Sequence, residues 1–251
     1  MDTTEKFNGL ASVYTAGRPT YADKFLSELY EKFGFSASSI IADIGSGTGK
    51  FAKQMLERGS YVYCVEPNED MRNQAIIELG KYKNSSIIAG DSTNTTLPNC
   101  SVDFVTVAQA FHWFDTELFK NECKRIIKTG GKVFLIWNMR DMSSDFTQEA
   151  YKIYKKYCPE FKGFGGGIQK NDMRIRTFFD DKYERLEYDN PLYYDKDKFI
   201  DRSLSGSYSL KQQDVHYEEY INQLELLFHK YAKDNVVIMQ NKTVVYVGFV
   251  K

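Results

Sequence analysis

The sequence predicts a doubly wound α/β fold, a mostly parallel sheet with helices on both faces. Three observations carry this reading. Helix-period and strand-period segments alternate through the first half of the chain. Several strand segments are nearly continuous apolar runs, as expected when helices cover both faces of a parallel sheet. A glycine-rich turn joins the first strand to the following helix. Strand–helix–strand units repeated in this way require right-handed crossovers.

Taken in order, Thr20 to Phe33 places Ala22, Phe25, Leu26, Leu29 and Phe33 on one helical stripe, and Gly34 stops it. Ser39 to Asp43 is a short apolar strand. Lys50 to Arg58 reads as a helix with Phe51, Ala52, Met55 and Leu56 inward, closed by Gly59. Tyr61 to Val65 is a second strand, Asn68 to Leu79 a helix and Ser86 to Ala89 a third strand. Val102 to Val107, Glu117 to Ile127 and Gly131 to Trp137 continue the alternation as strand, helix and strand. Beyond Asn138 the pattern loosens. Glu149 to Tyr157 is helical, Gly163 to Gly167 is a connector, and Tyr183 to Tyr188 is a strand. Tyr217 to Tyr231 is a strongly striped helix and Thr243 to Val250 a final strand. The expected organisation is one domain: an N-terminal cap (1–35), a core (36–140), a substrate-covering elaboration (141–215), and a last helix and strand (216–251).

Bulk properties narrow the function. A chain of 251 residues suits one large domain. Lys and Arg number 33 against 34 Asp and Glu, so no basic surplus favours nucleic acid as a partner. Aromatic residues make up 15%, which serves core packing first and a flat or cationic ligand second. Cys64, Cys100, Cys123 and Cys158 have neither zinc nor disulfide spacing, and are expected to be buried free thiols. The first residues show no apolar leader, and no run reaches the length of a membrane span. A cytoplasmic protein is therefore expected; nothing in the sequence sets its oligomeric state.

Function turns on the stretch Asp43-Ile-Gly45-Ser46-Gly47-Thr-Gly49. Glycines there let the main chain adopt positive φ and approach a ligand. Their spacing is G-x-G-x-G, and Lys50 stands where a dinucleotide fingerprint needs its third glycine. Asp43, two residues before the first glycine, would repel a pyrophosphate and attract an ammonium group. Glu66-Pro67 ends the second strand, where a carboxylate can accept ribose hydroxyls, as it does in dinucleotide enzymes too. Asp91-Ser92 follows the third strand and suits an adenine amino group. Any one of these acids alone reads as a helix cap or a surface charge; three, at the ends of consecutive strands, point to adenosine with a zwitterionic tail.

With these motifs the chain resembles the class I S-adenosylmethionine (SAM)-dependent methyltransferases, in the small-molecule branch of the trans-aconitate type. The resemblance is carried by D-I-G-S-G-T-G (43–49), V-E-P-N (65–68), G-D-S-T (90–93), L-P-N-C-S-V-D (97–103), Q-A-F-H-W-F (109–114) and G-G-K-V-F-L-I-W (130–137). It covers residues 7 to about 140 well and the remainder in outline. It implies a Rossmann-like sheet of seven strands with an antiparallel last strand, and SAM as cofactor. It further implies that Asp43, Gly45, Ser46, Gly47 and Gly49 surround the methionine part. Glu66 and Pro67 would take the ribose, and Asn68 and Met71 flank adenine. Asp91, Ser92 and Thr93 would bind the adenine edge, and Gln109 and Ala110 lie under the cofactor. Phe7, Tyr14, Arg18, Pro19 and Tyr21 match the branch's N-terminal segment. Tyr14 and Arg18 would close over the cofactor, and Tyr21 would reach the substrate.

Phe111-His112-Trp113-Phe114 follows the fourth strand, where an acceptor should approach. His112 is the candidate general base, set against a histidine that merely shapes the pocket; Phe111 and Trp113 are candidate substrate walls. The run Gln109 to His112 lacks the D/N-P-P-Y/F signature of base N-methylation, and Cys100 follows Asn99 rather than a proline. A small-molecule acceptor is expected, with a carboxylic acid as one candidate, and no metal. Two alternatives stay open on sequence: a SAM-binding regulatory module without turnover, and an NAD-dependent oxidoreductase.

Overall fold

A computed structural model describes residues 19–164, 168, 172–206 and 208–250. Its main sheet is built from β1 (Ile40–Ile44), β2 (Tyr61–Val65), β3 (Ser85–Ile88), β4 (Val102–Ala108), β5 (Ile127–Arg140), β6 (Tyr183–Asp189) and β9 (Asn241–Gly248). The strand order is β3-β2-β1-β4-β5-β9-β6. β1 to β5 pair in parallel, and β9 lies antiparallel between β5 and β6. The order reverses between β1 and β4, so a crevice opens at the carboxyl ends of these two strands.

Side-chain alternation sorts β5 between two cores. Val133, Leu135 and Trp137 join one cluster, with Phe119 on α4 (Thr116–Ile126) and Phe178 on α6 (Met173–Phe178). Phe134 and Ile136 join the other, with Phe25 and Leu29 on α1 (Asp23–Glu31) and Phe51 and Met55 on α2 (Lys50–Leu56). α3 (Glu69–Leu79) closes the β2–β3 crossover and sends Leu79 into that second core. A third cluster sits apart from both faces. It joins α5 (Asp145–Tyr157), α7 (Lys196–Leu204) and α8 (Tyr217–Tyr231) to a two-stranded ribbon, β7 (Leu192–Tyr194) with β8 (Val237–Met239).

The expected elements up to residue 140 are present, with shifts of a few residues at their ends. β5 begins four residues earlier than the apolar run, because Ile127 pairs with Val102 ahead of a register shift, after which pairing resumes between Phe104 and Lys132. The final strand covers Asn241–Gly248 rather than Thr243 to Val250. α6, α7 and the β7–β8 ribbon had no apolar period strong enough to announce them. Their caps were readable: Asp172 accepts from the Arg174 amide at 2.9 Å and Asp195 from the Lys198 amide at 2.9 Å. All four cysteines are free, but Cys100 is exposed instead of buried, on a turn with φ of 48°. Gly163 has φ of 115°, while Gly165, Gly166 and Gly167 lie outside the described residues. Among the described residues no helix is long and apolar enough to cross a membrane.

Phe134 is fully enclosed, with ring centroids of Phe33, Phe35 and Phe104 at 5.4, 5.3 and 6.2 Å. Phe134→Ala should cost about 3–5 kcal/mol in urea unfolding; a loss below about 1 kcal/mol would contradict this assignment of the core.

Candidate functional site at the β1–β4 crevice

The turn after β1 is a left-handed main-chain path. Gly45, Gly47 and Gly49 have φ of 68°, 56° and 79°, values that cost a residue with a Cβ about 1–2 kcal/mol. The three glycines answer to different neighbours. A Cβ on Gly45 would lie 2.6 Å from the Ala110 methyl, and one on Gly49 would lie 2.5 Å from Leu79 Cδ1. These two are glycines because protein packs against them. A Cβ on Gly47 would meet nothing within 4 Å. Gly47 is the position where the backbone faces open space and a ligand can reach it.

Glu66 holds this turn in shape. Its Oε2 accepts the Gly47 amide and its Oε1 the Asn68 amide, both at 2.9 Å, and each oxygen keeps a second lone pair. The amides of Gly45 and Ser46 donate to the Val65 carbonyl at 2.8 and 3.2 Å, fastening the turn to the end of β2. Burial pushes the Glu66 carboxyl above its ordinary range, opposed by the two amides. Asn68 caps α3 by accepting the Met71 amide at 2.9 Å, and Met71 is buried behind it. Pro67 offers its carbonyl to Arg72.

Asp43 lies beneath the turn and is fully enclosed. Its Oδ1 accepts the Thr106 hydroxyl at 2.8 Å, across the β1–β4 register. Its Oδ2 and the Ser46 Oγ are buried with no hydrogen-bond partner among the described residues. Burial raises the Asp43 pKa to about 7, and the Glu66 charge adds to the rise.

The other predicted residues fall along the same edge. After β3, Asp91 Oδ1 accepts the Thr93 amide and hydroxyl at 2.6 and 2.7 Å, so Thr93 shapes the turn that presents Asp91, and Ser92 is nearly enclosed. Gln109, at the end of β4, has φ of 63° and donates Nε2 to the Asn138 carbonyl at 3.2 Å. A non-glycine residue held left-handed at a strand end is a recurrent mark of functional sites. Ala110 touches Gly45, as noted. Tyr14 and Arg18 lie outside the described residues.

Of the three expected substrate contacts, Tyr21 and Phe111 lie in the core and Trp113 lies at the surface. Tyr21 is buried in the sheet core, its ring edge-on to Phe51 at 4.9 Å. Phe111 is fully buried among Phe114, Phe119, Trp137 and Phe178, so it packs rather than lines a pocket. Trp113 is exposed and stands beside His112, ring centroids 4.8 Å apart. His112 is half-buried on a short 3-10 turn, and its carbonyl accepts Arg174 Nη1 at 3.3 Å.

Sequence reading missed the polar knot joining the N-terminal segment to this edge. Asn138 and Asn190 donate to the Thr20 carbonyl at 3.1 and 2.8 Å, and Thr243 accepts the Ala22 amide at 2.9 Å. No motif flags these residues; only the pairing of β5, β6 and β9 brings them together. Thr106 was missed for the same reason. Among the described residues no group of three or more His, Cys, Asp or Glu is placed to hold a metal ion.

Comparison with known proteins accords with this geometry. Residues 42–135 match the family model described as a methyltransferase domain. An uncharacterized methyltransferase-like protein of Schizosaccharomyces pombe is 32% identical over 152 residues, covering 59% of this chain and 58% of that protein. The chain thus spans less than two thirds of that relative's length. A putative type II methyltransferase from Anaeromyxobacter dehalogenans superposes with a TM-score of 0.63 at 17% identity, covering 93% of this chain and 98% of its own. Geranyl diphosphate C-methyltransferase from Streptomyces coelicolor, solved with S-adenosyl-L-homocysteine, superposes with a TM-score of 0.50 at 14% identity, covering 91% and 79%. The chain therefore has the Rossmann-like fold of these methyltransferases, and its β1–β5 region resembles a methyltransferase domain.

Proposed function

We propose that the protein is a SAM-dependent methyltransferase acting on a small-molecule acceptor, with a carboxylic acid as the candidate class. One observation carries the cofactor: the open backbone at Gly47 belongs to a turn bordered by two carboxylates, Asp43 beneath it and Glu66 bound to its amide, which would repel a pyrophosphate and attract a cationic tail. The unpartnered Asp43 Oδ2 and Ser46 Oγ fit a ligand bearing both a cation and polar atoms. The family match over residues 42–135 supports the same reading.

Glu66 would accept ribose hydroxyls on its remaining lone pairs, and Asp91 the adenine amino group. The Gly45–Gly49 backbone would cradle the amino-acid tail. SAM held there supplies a methyl group on a positively charged sulfur, which a nucleophile displaces in line. The chain's own contribution is then positioning, worth up to about 7–11 kcal/mol in well-oriented systems. Gln109, fixed by its left-handed backbone and its bond to Asn138, would hold the cofactor's underside. For a hydroxyl or amine acceptor, His112 is the candidate to take the departing proton. A carboxylate acceptor needs no base.

The test is formation of S-adenosylhomocysteine from SAM over a panel of small acids, amines and alcohols. Glu66→Ala should weaken SAM binding at least tenfold, since hydrogen bonds to a charged group are each worth about 1.5–3 kcal/mol. No turnover with any acceptor, alongside intact SAM binding, would favour the regulatory module; unchanged SAM affinity in Glu66→Ala would contradict the ribose assignment.

Asp43 gives a pH signature. Its folded pKa of about 7 lies above the ordinary 3.8, so the fold favours the protonated form. The associated stability is complete below about pH 4 and is lost as pH rises through 7, on the order of 4 kcal/mol in all. A cation brought near the carboxyl should reverse this by ionising it, so SAM binding near pH 6.5 should release protons. Asp43→Asn should flatten the stability decline between pH 4 and 7 and abolish the release, read by urea unfolding and by calorimetry in buffers of different ionisation enthalpy. A variant that tracks the parent in both would refute the assignment.

A further inference from the structure

The short 3-10 turn Phe111–Trp113 carries the candidate base His112, and a turn of this length has little stability of its own. Within it the Trp113 amide donates to the Ala110 carbonyl and the Phe114 amide to the Phe111 carbonyl, both at 3.0 Å. What fixes its place is α6, which touches the turn twice. Phe178 on α6 sets its ring 5.3 Å from the fully buried ring of Phe111. Earlier on the same helix, Arg174 donates Nη1 to the His112 carbonyl at 3.3 Å.

Arg174 is itself aimed. Its Nε and Nη2 meet the two oxygens of Asp172 at 2.9 and 2.6 Å, a bidentate fork that sets the plane of the guanidinium. The Asp172 side chain is little exposed and also caps α6 by accepting the Arg174 amide. At the far end of α6, the nearly buried Lys120 of α4 donates to Asp180 at 2.7 Å and to the Thr177 carbonyl at 3.4 Å. Phe178 also stacks on Phe119, ring centroids 5.2 Å apart. The guanidinium is thus carried on a helix fastened to α4.

Stability does not account for this arrangement. The Arg174 side chain is 40% exposed, and ion pairs open to water contribute little to folding. The His112 carbonyl, on a half-buried turn, could bond to water instead. Orientation does account for it. A base acts only when its nitrogen comes within about 2.6–3.2 Å of the group it deprotonates, and a misplacement of about 1 Å can cost about a hundredfold in rate. Phe111 pins one residue of the turn and leaves the backbone beyond it able to rotate. Holding the next carbonyl removes that freedom from His112.

Building on the methyltransferase reading, we infer that Arg174, aimed by Asp172, is a positioning residue that holds the His112 turn in register with the methyl acceptor. When an alcohol or amine takes the methyl group, the sulfur–carbon bond breaks with its electron pair on sulfur. The acceptor's proton passes to the imidazole that Arg174 keeps in place.

The experiment reads the imidazole directly. The chain has three histidines, so histidine-labelled protein saturated with S-adenosylhomocysteine gives few ring signals by NMR, and His112→Gln identifies those of His112. Arg174→Met should shift and broaden them, and so should Asp172→Asn, which keeps the helix cap but not the ion pair. Signals of His216 and His229 and the affinity for S-adenosylhomocysteine should stay as in the parent, and the melting temperature should fall by no more than about 4 °C. Arg174→Lys, which keeps the charge without the planar fork, should restore the parent spectrum only in part. With an alcohol or amine from the acceptor panel, Arg174→Met should lower kcat by about tenfold or more and change KM little. Adding His112→Gln should then cost no more than about twofold further, because the two residues act as a unit. The inference is overturned if the His112 signals are the same in Arg174→Met as in the parent, or if the two substitutions lower kcat by independent, multiplying factors. Full kcat in His112→Gln would overturn the base assignment, and this inference with it, even where the spectra respond. Failure of the parent to bind S-adenosylhomocysteine would overturn the cofactor reading, and is seen before any variant is compared.

Discussion

The pair of hydrogen bonds from the Gly47 and Asn68 amides to the Glu66 carboxylate is the hinge of the site. It ties the loop after β1 to the loop after β2, so two separate strand–helix junctions become one rigid surface. The glycines make this possible by accepting positive φ, and Gly45 and Gly49 also let Ala110 and Leu79 come close. Without that closeness α3 and the β4 exit would stand away from the turn. Gly47 would then no longer face a bounded space.

The sheet decides what else reaches that surface. Reversal of strand order between β1 and β4 sets the ends of β1, β2 and β3 on one side of the crevice and those of β4 and β5 on the other. Acidic groups come from the first side: Asp43, Glu66 and Asp91. The second side brings amide and cationic groups: Gln109, Asn138 and Arg140. This division suits a cationic, adenosine-bearing ligand facing an anionic partner. The polar knot of Asn138, Asn190, Thr243 and Thr20 then anchors the start of α1 over the second side.

The core strands and the acidic glycine turn were legible because both are local. Apolar runs of four to seven residues, broken by glycine, sit in consecutive sequence, and Asp43, Glu66 and Asp91 each follow a strand directly. Roles that depend on pairing between distant segments were not legible. Thr106 meets Asp43 through strand register, and Asn138 meets Thr20 across 118 positions. The aromatic residues misled for a related reason: composition does not reveal which face of the chain a ring takes. Phe111, expected as a substrate wall, and Tyr21, expected to reach the substrate, both have their rings in the core. The elaboration beyond residue 140 was legible only as helical in part, since its short elements announce themselves by caps rather than by period.

Cofactor identity is the point on which the account stands, and it can be read directly. Calorimetric titration of the purified chain with SAM, S-adenosylhomocysteine and NAD, under one set of conditions, separates a zwitterionic nucleoside from a diphosphate coenzyme. The account predicts saturable binding of the first two at one site per chain and none of the third. Tight binding of NAD with indifference to SAM would contradict it.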